Sequence, residues 1–405
     1  MTNYAKFTPN QYLRSIYRLM MNKNGGKYIY EGSYGCAFYP ALPCAQTGTR
    51  KGLGKLFNNK NDFKVEEKIQ KFISKIDPSH EATILYYGSC RVHLEDTNKS
   101  DEINKCNITN EYSVTKRSIN QLMFKFGGDD LDKIVSSIKH NSKYANFYFD
   151  TFITTLLPVA KCILKIAYYG YLHSDIKPSN ILYSSKNNRM YLIDFGLLQT
   201  QQYLTQSGSA LSFKYLYYPP EFTIMHSLRL GIKDPLKLYN SILENFEFYD
   251  YEKYMNYLEF AKYKTKLHAF IKYALHTPLE KLEEEFLSNY IKKLDVYSLG
   301  MTLVEIVYNM QIEFTFKLQN NALFNDFVQY LVVNMIHPDP RYRLSADEFY
   351  IRIHGLYDMY KIKIETKDVV KFLNIKELKR MSEKMQLAAS SNKEVLYTNI
   401  LNNPN

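Results

Sequence analysis

Two short stretches hold the residues best suited to chemistry: His173-Ser174-Asp175-Ile176-Lys177-Pro178-Ser179-Asn180 and, shortly after it, Ile193-Asp194-Phe195-Gly196. Asp175 is a carboxylate that can take the proton of a hydroxyl, and Lys177 is a cation for a phosphate. Asn180 and Asp194 supply the oxygen ligands that Mg²⁺ prefers. Together these are the groups needed to hold Mg²⁺-ATP beside an alcohol. Such a transfer leaves the protein little covalent chemistry to do, so positioning and charge neutralisation supply most of the acceleration. The flanking Tyr171-Leu172 and Ile181-Leu182 read as a helix end and a strand start, with the first stretch as the connection between them.

His-x-Asp-x-Lys-Pro-x-Asn followed by Asp-Phe-Gly resembles the eukaryotic-type protein kinases. The resemblance implies Asp175 as proton acceptor, Lys177 on the γ-phosphate, and Asn180 and Asp194 as metal ligands. Further likenesses follow in the family's order. Tyr218-Pro219-Pro220-Glu221 is similar to its Ala-Pro-Glu element, Asp295-Val296-Tyr297-Ser298-Leu299-Gly300 to the start of its central buried helix, and His337-Pro338-Asp339-Pro340-Arg341-Tyr342-Arg343 to its late Arg-bearing turn. By that match Glu221 pairs with Arg343, since a buried carboxylate needs a bidentate partner to offset desolvation. Asp295 reaches back to the backbone of the catalytic stretch.

The amino-terminal half matches more thinly. Glu31-Gly32-Ser33-Tyr34-Gly35-Cys36-Ala37-Phe38 reads as strand-turn-strand, its glycines letting backbone amides approach phosphate, although Tyr30 stands where the family's first Gly is usual. Leu53-Gly54-Lys55-Leu56-Phe57 alternates like a buried strand, and Lys55 is expected at the α and β phosphates. Around the adenine, Ala37 stands where a larger Val is common and Leu53 where a small Ala is common, which roughly conserves volume. Val65, Ile69, Phe72, Ile73 and Ile76 trace one face of a helix. Glu66 lies three and seven residues before Ile69 and Ile73, so it is the expected partner of Lys55, with Glu67 pointing further away. Asp77-Pro78 stops that helix. Leu122-Met123-Phe124 reads as a last strand entering a hinge at Phe126-Gly127-Gly128, with Met123 at the nucleotide.

The motifs need an α+β, two-lobed protein-kinase-like fold to position them. The expected layout is an extension over 1–27 with a helix from Gln11 to Met21, a small sheet-rich lobe over 28–126, and a larger helical lobe over 127–355. A helical insertion is expected at about 222–290 and a helical tail over 356–405. Phe152, Leu156, Val159, Ile163, Leu164 and Ala167 mark one face of the helix before the catalytic stretch, while the polar run from Leu94 to Asn110 reads as an exposed loop. No internal repeat is evident.

The chain has 405 residues and 45% hydrophobic content, enough for a substantial core and too much for a mainly disordered protein. The net charge of +11 admits an acidic protein substrate or nucleic acid. The lysines are scattered and form no basic tract, so nucleic acid is not expected. Five cysteines without Cys-x-x-Cys pairs indicate neither a zinc site nor a disulfide framework, and fit a reducing compartment. No signal-peptide pattern and no apolar run long enough to cross a bilayer are present, so a soluble intracellular protein is expected. Oligomeric state is not legible.

The absence of Trp, the many Tyr, Asn and Lys residues, and Gly25-Gly26-Lys27 ahead of Tyr34-Gly35-Cys36-Ala37-Phe38-Tyr39-Pro40 resemble kinases of large double-stranded DNA viruses. That likeness implies host cytoplasm or virion. Lys177-Pro178 matches the serine/threonine pattern, which implies a protein serine/threonine kinase using ATP and Mg²⁺. A small-molecule or lipid kinase shares His-x-Asp and a metal Asp but generally lacks the Pro-Pro-Glu and Asp-Val-Tyr-Ser-Leu-Gly elements. A pseudokinase-like binding scaffold is the other alternative: Lys55, Asp175, Asn180 and Asp194 are all present and show no defect, while Tyr30 in the phosphate loop leaves room for it. In many kinases an Arg before the catalytic Asp receives a phosphate on the activation loop. Ser174 stands there instead, so activity without loop phosphorylation is expected, with Phe213, Tyr215 and Leu216 holding the loop by packing.

Overall fold

The computed structural model describes residues 26–32, 35–46, 52–57, 59–93, 101–107, 118–137, 149–200, 215–318 and 331–364. The fold is α+β, with a sheet-rich amino-terminal unit and a helical carboxy-terminal unit that divide between Gly127 and Gly128.

The first unit is an antiparallel sheet of five strands in the order β1-β2-β3-β5-β4. These are β1 (Lys27–Gly32), β2 (Gly35–Tyr39), β3 (Leu53–Phe57), β4 (Tyr86–His93) and β5 (Ser118–Phe124), with helix α1 (Lys60–Ile76) between β3 and β4. Alternation along the strands divides the core into two faces. Phe57, Leu122 and Phe124 share one with Leu53 and Phe63, while Cys36, Phe38, Leu42, Leu56, Val92 and Ile119 share the other. A side chain at Gly35 would sit 1.7 Å from the Leu56 carbonyl oxygen, so the close approach of β3 requires glycine there. Asn59 caps α1 by accepting from the Asn61 amide. After the helix, the Asp77 carboxylate accepts from the amides of Glu81, Ala82 and Thr83 and from the Thr83 hydroxyl, which fixes the turn that Pro78 begins.

Three expectations are corrected here. The buried stripe of α1 is Glu66, Gln70, Ile73 and Ile76, and Val65 is 56% exposed. A polar pair thus lies on the inner face where periodicity alone chose apolar residues. The polar run from Leu94 to Asn110 is not simply an exposed loop, because helix α2 (Asp101–Asn104) sets Ile103 and then Cys106 into the core beside Cys36. Finally, the cysteines do form disulfides, Cys36–Cys106 and Cys44–Cys90, with sequence separations of 70 and 46. Partners so far apart in sequence form no local spacing pattern, and their pairing is created by the sheet.

The second unit begins with β6 (Asp129–Asp130), α3 (Leu131–Ser137) and α4 (Phe149–Tyr168). Phe152, Leu156, Val159 and Ile163 of α4 are buried together with Ile153, Ala160 and Ile166, whereas Leu164 and Ala167 are half-buried. Short strands β7 (Tyr171–Leu172), β8 (Ile181–Ser184), β9 (Arg189–Leu192) and β10 (Gln199–Thr200) follow, pairing as β6-β8-β9 and β10-β7. Helix α5 (Pro220–Arg229) precedes four helices, α6 (Pro235–Phe248), α7 (Glu252–Tyr257), α8 (Phe260–His276) and α9 (Leu279–Glu285). Each of these four has residues in the core, among them Leu238, Met255, Leu267 and Leu282. Helix α10 (Leu294–Leu318) is enclosed on several sides, with Leu294, Val296, Tyr297, Leu299, Met301, Val304 and Val307 all buried. A Cβ at Gly300 would lie 2.7–2.8 Å from side-chain atoms of Ile336 and Met335, so close packing requires glycine in this helix. Helix α11 (Ala346–Ile364) follows. Among the described residues no helix is long and apolar enough to cross a membrane. The expected helix from Gln11 to Met21 lies outside the described residues, as does the tail beyond 364.

Glu305 of α10 offers a test of this packing. Burial, and then the nearby charge of Asp132, push its carboxyl up from 4.5 to about 7. A carboxyl whose pKa is raised on folding gives its full stabilising contribution below the unfolded pKa and loses it as pH rises through the folded one. The chain is therefore expected to lose stability between pH 4.5 and about pH 7 from this group. Glu305→Gln should raise the melting temperature at pH 8 and leave it nearly unchanged at pH 4, with an upper limit of roughly 3 kcal/mol at the higher pH. Equal shifts at both pH values would show that Glu305 is ionised and solvated.

Candidate active site

In the first unit, the pairing of Ala37 with Lys55 and of Lys55 with Leu122 sets three side chains on one face of the sheet. The Lys55 ammonium lies 3.8 Å from Glu66 Oε1, with both side chains nearly buried at 12% and 6% exposure. Gln70 Nε2 donates to the same Glu66 oxygen at 3.2 Å, and the Lys55 ammonium sits 5.3 Å from the centre of the Phe57 ring. Glu67 faces elsewhere and accepts from Ser89 and Tyr86. The Ser89 hydrogen bond is the main cause holding its carboxyl below the usual range.

Leu53, paired with Phe124, shares the face of Lys55. Met123 does not. It pairs with Gly54, its neighbours in the core are Ala41, Cys44, Tyr87 and Cys90, and its side chain therefore points to the opposite side of the sheet. Leu122 and Phe124 take the face expected of Met123. Nothing in the chain ahead of β5 identifies that register, because a one-residue slip exchanges the two faces. Gly32 and Gly35 close the β1–β2 hairpin as a pair, and Ser33 and Tyr34 between them lie outside the described residues.

In the second unit the stretch His173 to Asn180 runs from β7 into a turn at Pro178–Asn180 and on into β8. Asp175 Oδ2 lies 2.9 Å from the Lys177 ammonium and accepts from Asn180 Nδ2 at 2.8 Å. The same Asn180 nitrogen donates to the Asp175 carbonyl oxygen, also at 2.8 Å. With its nitrogen committed to two acceptors, Asn180 keeps its carbonyl oxygen for another partner. An amide oxygen from Asn180 and a carboxylate from Asp194 form a hard oxygen donor set, which fits Mg²⁺. Asp194 has a left-handed backbone, φ 57°, and the Ile193 amide before it donates to the Asn180 carbonyl at 3.0 Å. One hydrogen bond therefore couples the two halves of the donor set.

Buried groups brace this stretch from beneath. Asp295 accepts from the backbone amides of His173 at 2.8 Å and Ser174 at 3.0 Å. Burial pushes its carboxyl up, against the lowering effect of His173 and of those two amides. His173 Nε2 lies 3.0 Å from the Ile193 carbonyl, which can only accept, so this nitrogen carries the proton. Its Nδ1 then accepts from the Asp175 amide at 3.3 Å. The ring also packs against Phe195 at 4.7 Å between centroids. Ser174, with φ 64°, has its carbonyl bonded by the Tyr218 hydroxyl at 3.0 Å.

The first turn of α5 and the segment before it are held by residues later in the chain. Arg343 forms two parallel bonds to Glu221, 2.6 and 2.9 Å, with side-chain exposures of 0% and 1%. The guanidinium also donates to the His337 carbonyl and lies over the Tyr297 ring. Ser298 donates to the Tyr217 carbonyl at 2.7 Å, and Leu216 is buried. Phe213 lies outside the described residues. One contact escaped the sequence reading: the Tyr215 hydroxyl donates to Asp175 Oδ1 at 3.2 Å. A tyrosine-rich run ahead of Pro219 was its only signal, and Tyr217 and Tyr218 share that signal.

A family model described as an ABC1 atypical kinase-like domain matches residues 138–218, the region that contains Asp175, Asn180 and Asp194. A probable serine/threonine-protein kinase of Dictyostelium discoideum is 46% identical to this chain over 55 residues. The aligned stretch is 13% of this chain and 6% of that protein. The chain is kinase-like.

Proposed function

We propose that this chain is an ATP-dependent serine/threonine protein kinase that transfers the γ-phosphate to protein hydroxyls. The observation that carries the reading is the division of labour at Asp175: Oδ2 is held by Lys177 and Asn180, while Oδ1 faces a hydroxyl. Asp175 accepts the proton of the acceptor hydroxyl, and Lys177 offsets charge at the transferring phosphate. Asn180 and Asp194 would hold Mg²⁺, which when bound neutralises phosphate charge. Lys55, steadied by Glu66, serves the α and β phosphates. Gly32, Ser33 and Gly35 with Tyr34 cover the phosphates, and Ala37 and Leu53 line the adenine. Lys177-Pro178 supports a serine or threonine acceptor. The net charge of +11 is consistent with an acidic protein substrate. The likeness to kinases of large DNA viruses belongs to the same reading and rests on residues 25 to about 350.

The match to an atypical kinase-like model supports one second reading, a kinase of small molecules. Incubation with Mg²⁺, γ-labelled ATP and separate panels of acidic proteins, basic proteins and small alcohols decides between them. Label on serine or threonine of a protein is the expected result, and label confined to small alcohols would replace the proposal.

Two further outcomes are expected. Lys55→Met keeps the aliphatic stem and removes the charge, so it should weaken nucleotide binding and slow transfer together. An equal loss with Lys51→Met, and none with Lys55→Met, would move the phosphate contact to another strand register. Because Ser174 cannot anchor a phosphate, dephosphorylated protein should begin transferring to an external substrate without a lag. A lag removed by prior phosphorylation of residues 197–217 would contradict this.

A further inference from the structure

Residues 40–46 follow β2 and run behind the sheet of the first unit as a strap. The Ala41 amide donates to the Gly52 carbonyl at 2.7 Å. Leu42 exchanges two hydrogen bonds with the buried Gln121 side chain, its amide donating at 3.0 Å and its carbonyl accepting at 2.9 Å. A Cβ at Gly54 would meet the Gln121 side chain at 2.1 Å and the Ala41 Cα at 3.1 Å, so the strap lies directly against the back of β3. Cys44 then packs on Met123 of β5 and is joined to Cys90 of the edge strand β4. The strap thus crosses β3 and β5 on the face opposite Leu53 and Lys55, and a sulfur–sulfur bond fastens its far end.

The two disulfides differ in access. Cys36 and Cys106 are both 0% exposed, and their bond is enclosed in the core with Phe38, Leu56, Val92 and Ile119. Cys90 is only partly buried, on the strand at the edge of the sheet. A thiolate reductant needs a line of approach to one sulfur of the bond it breaks, which Cys90 Sγ offers and the enclosed pair does not. Once the Cys44–Cys90 bond is open, the backbone hydrogen bond from the Ala45 amide to the Arg91 carbonyl, 2.8 Å, is what remains at that end among the described residues. Gln121 still holds the near end, so the opening is local.

We propose that Cys44–Cys90 is a redox-modification site that sets nucleotide affinity, with the disulfide as the binding form and a dithiol as the reductant. The inference rests on the nucleotide reading of Lys55 and Leu53 above. A thiolate of the dithiol attacks Cys90 Sγ, the bond to Cys44 breaks with its electron pair on Cys44 Sγ, and that sulfur takes a proton. The second thiol of the reductant then displaces Cys90, so two electrons and two protons reach the chain and the reductant leaves as a cyclic disulfide. Release of the strap removes the backing of β3, and Lys55 and Leu53 lose their fixed places on the front face. A thiol-oxidising reaction therefore has to act on the newly made chain before it binds nucleotide at full affinity.

The test uses the full chain, made under oxidising conditions and treated with increasing dithiothreitol. Differential alkylation and peptide mass spectrometry should show Cys44 and Cys90 becoming thiols first, with Cys36–Cys106 still joined and the circular dichroism unchanged. Calorimetric titration with Mg²⁺-ATP should then give a dissociation constant raised roughly tenfold, as for a binding geometry kept about one time in ten. Reoxidation with oxidised glutathione should restore it. Cys44→Ser combined with Cys90→Ser should bind as the reduced chain does, without responding to dithiothreitol. Thiols at Cys44 and Cys90 in the oxidised preparation, earlier opening of Cys36–Cys106, or global unfolding when Cys44–Cys90 opens would each overturn the inference. An unchanged dissociation constant after that opening would overturn it and leave the kinase reading intact, whereas no nucleotide binding by either form would remove both.

Discussion

Asp194→Asn protein is expected to fold as the parent does and to transfer phosphate at least about 10²-fold more slowly, the scale of losing one preorganised electrostatic group from a catalytic site. The backbone makes the substitution a clean one. Asp194 has φ 57°, a left-handed conformation that Asn tolerates as well as Asp does. Asn also keeps the shape of the side chain and one oxygen, so what is lost is the negative charge. That charge is what a metal holding phosphate oxygens requires of its protein ligand, because Asn180 is already neutral. Label incorporation into an external protein measures the rate, and circular dichroism with thermal melting checks the fold. A variant that transfers at the parent rate would take Asp194 out of the metal-holding role.

Arg343→Leu is expected to give the largest loss of stability, about 3–5 kcal/mol, because it leaves the Glu221 carboxylate buried without its partner. Both side chains are essentially inaccessible, at 0% and 1% exposure, and the pair is bidentate, so water cannot replace the lost bonds without opening the unit. Removing both partners together, as Glu221→Leu with Arg343→Leu, should recover part of the loss, since no uncompensated charge remains inside. Urea unfolding of the single and double variants measures this. A single-variant loss under about 1 kcal/mol would mean that the pair behaves as a solvated surface bridge. The pair also bears on activity. Glu221 lies in the first turn of α5, with Pro219 and Pro220 between it and the run Tyr215 to Tyr218 that touches Asp175 and Ser174, so loosening the pair should slow transfer even where the chain still folds.

Much of the second unit was legible because its chemistry is local. Asp175, Lys177 and Asn180 lie within six positions, and the turn at Pro178–Asn180 brings them together with little help from distant parts of the chain. The long-range Glu221–Arg343 and Asp295 contacts were reached through resemblance, and the physical requirement behind the first is that a buried charge needs a partner. In the first unit, the choice of Glu66 over Glu67 followed from helical spacing relative to Ile69 and Ile73, and the structure brings Glu66 to 3.8 Å from Lys55. The same periodicity misjudged Val65, because an ammonium on the facing strand makes the inner side of α1 partly polar.

The composition and motif order of this chain by themselves determined an α+β fold with a kinase-like stretch in its helical part, since hydrophobic period and turn chemistry are properties of neighbouring residues. Only the tertiary structure decided that Met123 faces away from Lys55, that Cys36 meets Cys106 and Cys44 meets Cys90, and that Tyr215 rests on Asp175. Each of these depends on strand register or on a contact across 40 or more residues. A one-residue slip of register exchanges the faces of a sheet, and nothing in the local sequence carries the energy that prevents it.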